Sequence, residues 1–171
     1  MNKKTIYAIL ALMLLLLVFL SVACTNPGYD YPKMIDSTRE YESVAVTDKQ
    51  KNIAEYCRIE GYYVSGDYKI VRIISERGHV DEIELLVLIE GTILKEIKGV
   101  EIKETPGYGT KCFEDKFLTQ FYERDLLTMD ALTGRQDNYE QGDILYVTGA
   151  TRTSRALITG VNGVAAFIKS L

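Results

Sequence analysis

Apolar and polar positions divide this chain into segments with different periods. The first runs from Ile6 to Ala23, 18 residues of nearly unbroken apolar character behind Lys3 and Lys4. As a helix it would measure about 27 Å at about 1.5 Å per residue, close to a bilayer's hydrocarbon thickness. Thr25 to about Tyr41 (TNPGYDYPKMIDSTREY) holds two of the three prolines and shows no period, which predicts a tether. A short helix is expected from Lys51 to Arg58. Three runs rich in Tyr, Val and Ile then read as strands: Gly61 to Ser65, Tyr68 to Ser75 and Ile83 to Ile89, parted by Gly66-Asp67 and Arg77-Gly78. Glu90-Gly91 predicts a hairpin into a mostly alternating stretch from Thr92 to Lys103.

After Gly109 the period lengthens. Phe113, Phe117 and Phe121 stand at i, i+4 and i+8, one stripe of an amphipathic helix, and such a stripe is more simply core than a cofactor box. Leu126 to Gly142 is polar and predicts a long loop, followed by a strand from Ile144 to Val147. The last helix is expected from Thr151 to Ser170, with Leu157, Val161, Val164, Ala165 and Ile168 on one face. Gly160 and Gly163 weaken it by roughly 1 kcal/mol each relative to Ala where exposed. The sum is an α+β domain, a twisted antiparallel sheet with a few packed helices, behind an apolar export or anchor segment. Its parts are 1–23 as signal peptide or membrane anchor, 24–50 as tether and 51–171 as the folded domain.

Chemistry at the N-terminus sharpens the first of these. Leu20-Ser-Val-Ala-Cys24 after the apolar block resembles the lipobox of bacterial lipoproteins, which implies lipidation at Cys24 and a domain held outside the cytoplasmic membrane. A retained single helix is the alternative. Loss of residues 1–23 removes Lys3 and Lys4 and moves the formal net charge from −4 to −6. That balance argues against nucleic acid and against an anionic lipid surface as partner. Cys57 and Cys112 remain, either as a disulfide or as two separate buried thiols. One histidine, His79, sits in a turn-like Glu-Arg-Gly-His and reads as a solvated turn residue, and with no second histidine a His-rich metal site cannot be assembled.

The stretch Thr148-Gly149-Ala150-Thr151 joins a strand to a helix, where unpaired helical N–H groups favour an anion. The alternative is that Thr148 or Thr151 merely caps the helix, an arrangement worth about 1 kcal/mol. Arg152 and Arg155 follow at once, cations at a helix end whose dipole opposes them.

Thr148-Gly-Ala-Thr-Arg-Thr-Ser154 before an Ala/Val-rich helix resembles the C-terminal signature of the FMN-binding domain family. That family includes the G subunit of Rnf complexes, the C subunit of the sodium-translocating NADH:quinone reductase and lipid-anchored extracellular flavoproteins. Glu104-Thr-Pro-Gly-Tyr-Gly109 is similar to the family's Glu-Thr-Pro-Gly-Leu-Gly loop, and Phe117 with Gln120-Phe121 to its Phe…Gln-Phe segment; the likeness spans about Tyr68 to Leu171. The resemblance implies FMN esterified through its phosphate to Thr151 by a separate flavin transferase. Thr148, Gly149, Ala150 and Thr153 would then shape the phosphate turn, and Thr105, Gly107, Tyr108 and Gly109 would line the isoalloxazine. It further implies an electron carrier with a membrane redox partner, with no catalytic residue and no metal. Taken alone, the Glu104–Gly109 stretch is a Pro-Gly turn joining strand to helix. One departure stands out: Leu145 occupies the place of the transferase motif's acidic residue, and the nearest carboxylate is Asp143. Covalent FMN, noncovalent FMN and a flavin-free accessory domain therefore remain as alternatives. Asp130-Ala-Leu-Thr-Gly134 has the Asp at the motif's distance, but Arg135 and Gln136 follow it and supply no acceptor hydroxyl.

Overall fold

A computed structural model describes residues 29–137 and 142–171; the expected export or anchor segment and Cys24 lie outside these described residues. From Tyr31 to Leu171 the chain forms one compact unit. Its centre is a five-stranded antiparallel meander, β1 (Glu42–Val44), β2 (Cys57–Ser65), β3 (Tyr68–Ser75), β4 (Ile83–Glu90) and β5 (Ile93–Val100), hydrogen-bonded in chain order. Two tight turns set the register. Gly66 at φ 59° and Gly91 at φ 60° supply the positive dihedral each two-residue hairpin needs, so Ser65 faces Tyr68 and Glu90 faces Ile93.

The strand β4 carries Leu85-Leu86-Val87-Leu88-Ile89 without a polar break, and all five are buried. A strand buried on both faces needs a cover on each. On one face lies α4 (Thr151–Lys169), which seats Leu157, Val161, Val164 and Ile168 over Val71, Ile73, Leu85, Val87 and Ile89. Its two central glycines are the means of that seating. A Cβ on Gly163 would come 2.4 Å from Cys57 Sγ and 2.9 Å from Ile73 Cδ1, and one on Gly160 3.0 Å from Leu85 Cδ1. Their absent side chains let the helix backbone approach the sheet, which offsets their low helix propensity.

The other face gathers Ile70, Leu86, Leu88 and Val100 under Tyr31, Met34, Ile35 and Tyr41. Here the expectation of a tether meets structure from Tyr31 onward: α1 (Tyr31–Ile35) packs on the sheet, and β1 pairs with β2, Glu42 opposite Val64. Polar contacts secure the segment. The buried Asp36 accepts hydrogen bonds from Thr38 N–H (2.9 Å), Thr38 Oγ1 (2.6 Å), Arg39 Nη1 (2.7 Å) and Tyr41 OH (2.8 Å). Arg39 stacks 3.6 Å over the Tyr68 ring, Arg72 lies 4.1 Å over Tyr31 while paired with Glu84, and Lys98 donates to the Met34 carbonyl.

Three further expectations are corrected. The short helix is α2 (Asp48–Lys51), earlier than Lys51–Arg58. Thr47 starts it with a reciprocal capping box to Gln50, and Cys57 already belongs to a strand. The phenylalanine stripe is not one helix: a 3-10 turn (Gly109–Phe113) is followed by the single-turn α3 (Asp115–Leu118), where Thr119 Oγ1 donates back to the Asp115 carbonyl at 2.8 Å. Phe117 and Phe121 are buried all the same, their rings edge to face with centroids 5.5 Å apart. The loop after Leu126 contains a two-residue β6 (Gly134–Arg135) that pairs in parallel with β7 (Ile144–Leu145), shorter than the strand expected to reach Val147. Cys57 and Cys112 are separate buried free thiols, and burial pushes each up to about 11.

Candidate functional site

Past β5 the chain folds the buried carboxylate of Glu104 inward. Its Oε1 accepts the His79 N–H at 2.8 Å, and its Oε2 accepts the Thr153 hydroxyl at 2.8 Å. One side chain thus binds the loop after β3, the loop after β5 and the first turn of α4. Gly109 lies beside this junction: a Cβ there would stand 2.6 Å from Glu104 Oε2 and 3.1 Å from Thr153 Oγ1. Glycine is the residue that leaves room for the bond. Gly107 serves a different purpose, with φ 74° in open space and its N–H donated to Thr110 Oγ1 at 3.0 Å.

The second loop is positioned from the turn after α3 and from α4. Gln120 pairs its side-chain amide with the Leu145 backbone in both directions, accepting the N–H at 2.8 Å and donating to the carbonyl at 3.2 Å. Asn162 does the same for Leu132, at 2.8 and 3.0 Å. Asp143 accepts the Thr133 N–H (2.9 Å) and hydroxyl (3.1 Å), which hold its carboxyl below the usual range against some burial. The carboxylate nearest the missing acidic position is therefore already engaged with the neighbouring loop. Ser154 Oγ accepts the Val147 N–H at 3.1 Å and lies 3.4 Å from Cys112 Sγ, fixing the turn from beneath.

At the junction itself, Gly149 adopts φ 78°, and a Cβ there would meet the Tyr108 ring at 2.9 Å. The two loops therefore approach each other through a glycine and an aromatic ring. Ala150 is the N-cap of α4 and no side chain caps the helix, so neither Thr148 nor Thr151 takes the alternative capping role. The first bond of the helix runs from the Ser154 N–H to the Ala150 carbonyl at 2.9 Å. The N–H groups of Thr151, Arg152 and Thr153 precede it, and such a terminus favours an anion by about 0.3–1 kcal/mol.

Thr105, Tyr108 and Gly109 from the first loop and Gly149, Ala150, Thr151 and Thr153 from the second line one cleft of about 360 Å³, together with His79, Glu104 and Arg152. That is within the usual range for small-ligand sites, about 300–1,000 Å³. Thr148 instead lines an adjoining cleft of about 460 Å³ with Phe117, Gln120, Leu145 and Tyr146. Gly107 lines neither. Sequence reasoning missed Glu104 and His79 as site residues. Glu104 opens the Glu-Thr-Pro-Gly motif, and its place there is the available signal; His79 comes from a remote loop and gives none.

Five antiparallel strands and one long helix set a glycine-bearing loop against a helix terminus that no side chain caps, and the free N–H groups of such a terminus favour an anion. The chain belongs to the FMN-binding domain family, which it matches over residues 78–166, a stretch containing both motif loops. It is 37% identical over 89 residues to the G subunit of the proton-translocating ferredoxin:NAD(+) oxidoreductase complex of Clostridium ljungdahlii. That match covers 51% of this chain and 46% of the relative, so the chain aligns with about half the relative's length. The crystal structure of NqrC from Shewanella oneidensis matches with a TM-score of 0.49 at 20% identity, over 74% of this chain and 66% of that one.

Proposed function

We propose that this chain is an extracytoplasmic electron-transfer flavoprotein, held to the membrane by its N-terminus and carrying FMN in a phosphoester link to Thr151. The observation that carries the proposal is the meeting of the two motif loops in one cleft, with Thr151 on the uncapped end of α4. Thr151 offers the hydroxyl that a flavin transferase would esterify, and the N–H groups of Thr151 to Thr153 would hold the phosphate oxygens. Gly149 and Ala150 form the turn that exposes them, with Thr148 at its entrance. Thr153 contributes by fixing Glu104 rather than by a free hydroxyl, because its own is already donated. Thr105, Gly107 and Gly109 would shape the wall beside the ring system, and Tyr108, 58% exposed, would offer an aromatic face to it. FMN would supply one- and two-electron redox capacity, and the chain would supply position and electronic surroundings. The partner would be a membrane redox protein, in keeping with the complex named for the Clostridium relative. Anchorage through a lipidated Cys24 or through the 1–23 helix is part of the same proposal. Among the described residues no helix is long and apolar enough to cross a membrane.

The test is coexpression of the full chain with a flavin transferase, followed by denaturation, in-gel fluorescence and intact mass. We expect an added mass of FMN less one water, lost in Thr151→Ala and increased in yield by Leu145→Asp, which restores the motif's acid. Fluorescent label on Thr151→Ala would reassign the acceptor. A wild-type chain unlabelled in the transferase's presence would favour the second reading, a surface lipoprotein whose accessory domain binds flavin loosely or not at all. Leu145 and the engaged Asp143 are the observations on that side. Palmitate labelling abolished by Cys24→Ala would establish the lipid anchor.

A further inference from the structure

Beside the candidate flavin cleft runs a second groove of about 700 Å³, lined among others by Glu76, Arg77, Tyr146, Arg152, Arg155 and Asn162. Arg152 lines both, so the two are contiguous. All three arginines are exposed. Elsewhere Arg39, Arg58 and Arg72 each hold a carboxylate, at Asp36, at Glu60, Glu76 and Glu82, and at Glu84. None of Arg77, Arg152 and Arg155 has one among the described residues. Tyrosines set two of them in place without neutralising them: Arg77 lies 3.1 Å over the Tyr56 ring, and Arg155 Nε donates to Tyr146 OH at 3.2 Å. The groove's own carboxylate, Glu76, is engaged by Arg58 at 3.2 Å. Arg152 also sits on the first turn of α4 and Arg155 just past it, where the helix dipole opposes them and no acidic residue in that turn offsets it.

We infer that this arginine groove is the docking surface for the acidic face of a soluble redox protein that exchanges electrons at the adjoining cleft. The inference rests on the electron-transfer reading above and adds a second, soluble partner at the other end of the transfer from the membrane redox protein proposed there. An open, exposed groove with fixed like charges matches the electrostatic rim that steers protein encounter, whereas a small-anion site would enclose its ligand. A nucleic-acid backbone would meet the same arginines, but the surrounding domain carries a formal −6 once residues 1–23 are set aside. Local positive charge on an acidic body also fixes orientation, bringing a partner's acidic patch to the cleft and repelling it elsewhere.

The test measures binding of a plant-type [2Fe–2S] ferredoxin, a small acidic redox protein, to the full chain in detergent, with and without transferase treatment. Basic mitochondrial cytochrome c is the opposite-charge control. We expect ferredoxin binding that weakens at least about tenfold between about 0.01 M and about 0.15 M ionic strength. Arg77→Glu/Arg155→Glu, which leaves the residues of the flavin cleft in place, should weaken it at least about tenfold. Lys33→Glu/Lys49→Glu changes net charge equally and should leave it within about twofold. No salt-sensitive binding, equal loss in both double variants, or preferential binding of cytochrome c at the groove would overturn the inference. Flavin labelling is scored separately on the same samples. Ferredoxin binding to a chain that transferase treatment leaves unlabelled would retain the groove and sink the covalent-flavin reading, and labelling without binding would do the reverse.

Discussion

On the α4 side of the sheet, contact is dry and close: helix backbone lies against strand side chains at two glycines, and Tyr62 meets Phe167 edge to face at 5.1 Å. On the other side, the five-residue α1 and Tyr41 lie over four buried side chains, and polar contacts do much of the fastening. Area burial at about 25 cal/mol per Å² rewards the first arrangement directly. The second depends on geometry, because a buried carboxylate is stable only with its hydrogen-bond donors in place. Each face is therefore vulnerable in its own way, the first to added volume and the second to a lost polar partner.

The largest expected effect comes from adding volume on the α4 side. Gly163→Val should destabilise the full chain by about 3 kcal/mol in urea or guanidinium titrations, since even its Cβ would collide with Cys57 and Ile73. Cys57→Ala in the same chain should recover part of that loss by removing the nearest atom. A loss under about 1 kcal/mol with no recovery would mean that α4 does not seat as closely as described.

Removing the polar hub tests the other face. Asp36→Ala should cost about 2 kcal/mol by leaving Thr38, Arg39 and Tyr41 without their shared acceptor. Hydrogen exchange should then quicken across residues 31–44 while α4 keeps its protection. Uniform acceleration over both faces would show that the two covers do not respond separately.

Much of this contrast is legible in the chain, and the illegible part has a physical cause. The final helix is legible because its apolar period is local, and the strands because β-branched runs and Gly turns are local as well. The unbroken Leu85–Ile89 run signals two covered faces, yet nothing local identifies the second cover. Tyr31, Met34 and Ile35 look like isolated apolar residues among prolines until Asp36 and Arg72 bring them to the sheet. The site divides in the same way. Thr148–Thr151 and Glu104–Gly109 are visible as motifs, whereas Glu104 reaching Thr153 across 49 positions, and His79 across 25, is a product of the fold. The phenylalanine stripe misleads because i, i+4 spacing is satisfied equally by successive tight turns that bury Phe117 and Phe121 and half-bury Phe113.

An intermediate effect probes whether the dry face extends to the cleft. Thr153→Val removes the hydroxyl from Glu104 at nearly constant volume and should cost about 1–2 kcal/mol, because the carboxylate stays buried with one donor fewer. Glu104→Gln in the same background should recover part of it by removing the charge. If the single variant is neutral, the Glu104–Thr153 bond does not hold the two loops together.

The smallest expected effect is acid sensitivity, and it belongs to the far face. Burial works against the Asp36 charge, but hydrogen bonds from Thr38, Arg39 and Tyr41 prevail and hold its carboxyl well below the usual range. A depressed folded-state pKa contributes stability that is complete above the unfolded value, about 3.9, and declines as pH falls below it. Between pH 7 and pH 3 that contribution should shrink by about 1 kcal/mol, since the unfolded chain takes up the proton first. Asp36→Asn has no such proton to bind, so the stability gap between it and the wild type should narrow by that amount on acidification. Asp143 has a lowered pKa of the same sign, but it is present in both chains and cancels in the comparison. A gap that stays constant down to pH 3 would mean that the carboxylate holding the far face is not ionised in the way its four hydrogen bonds require.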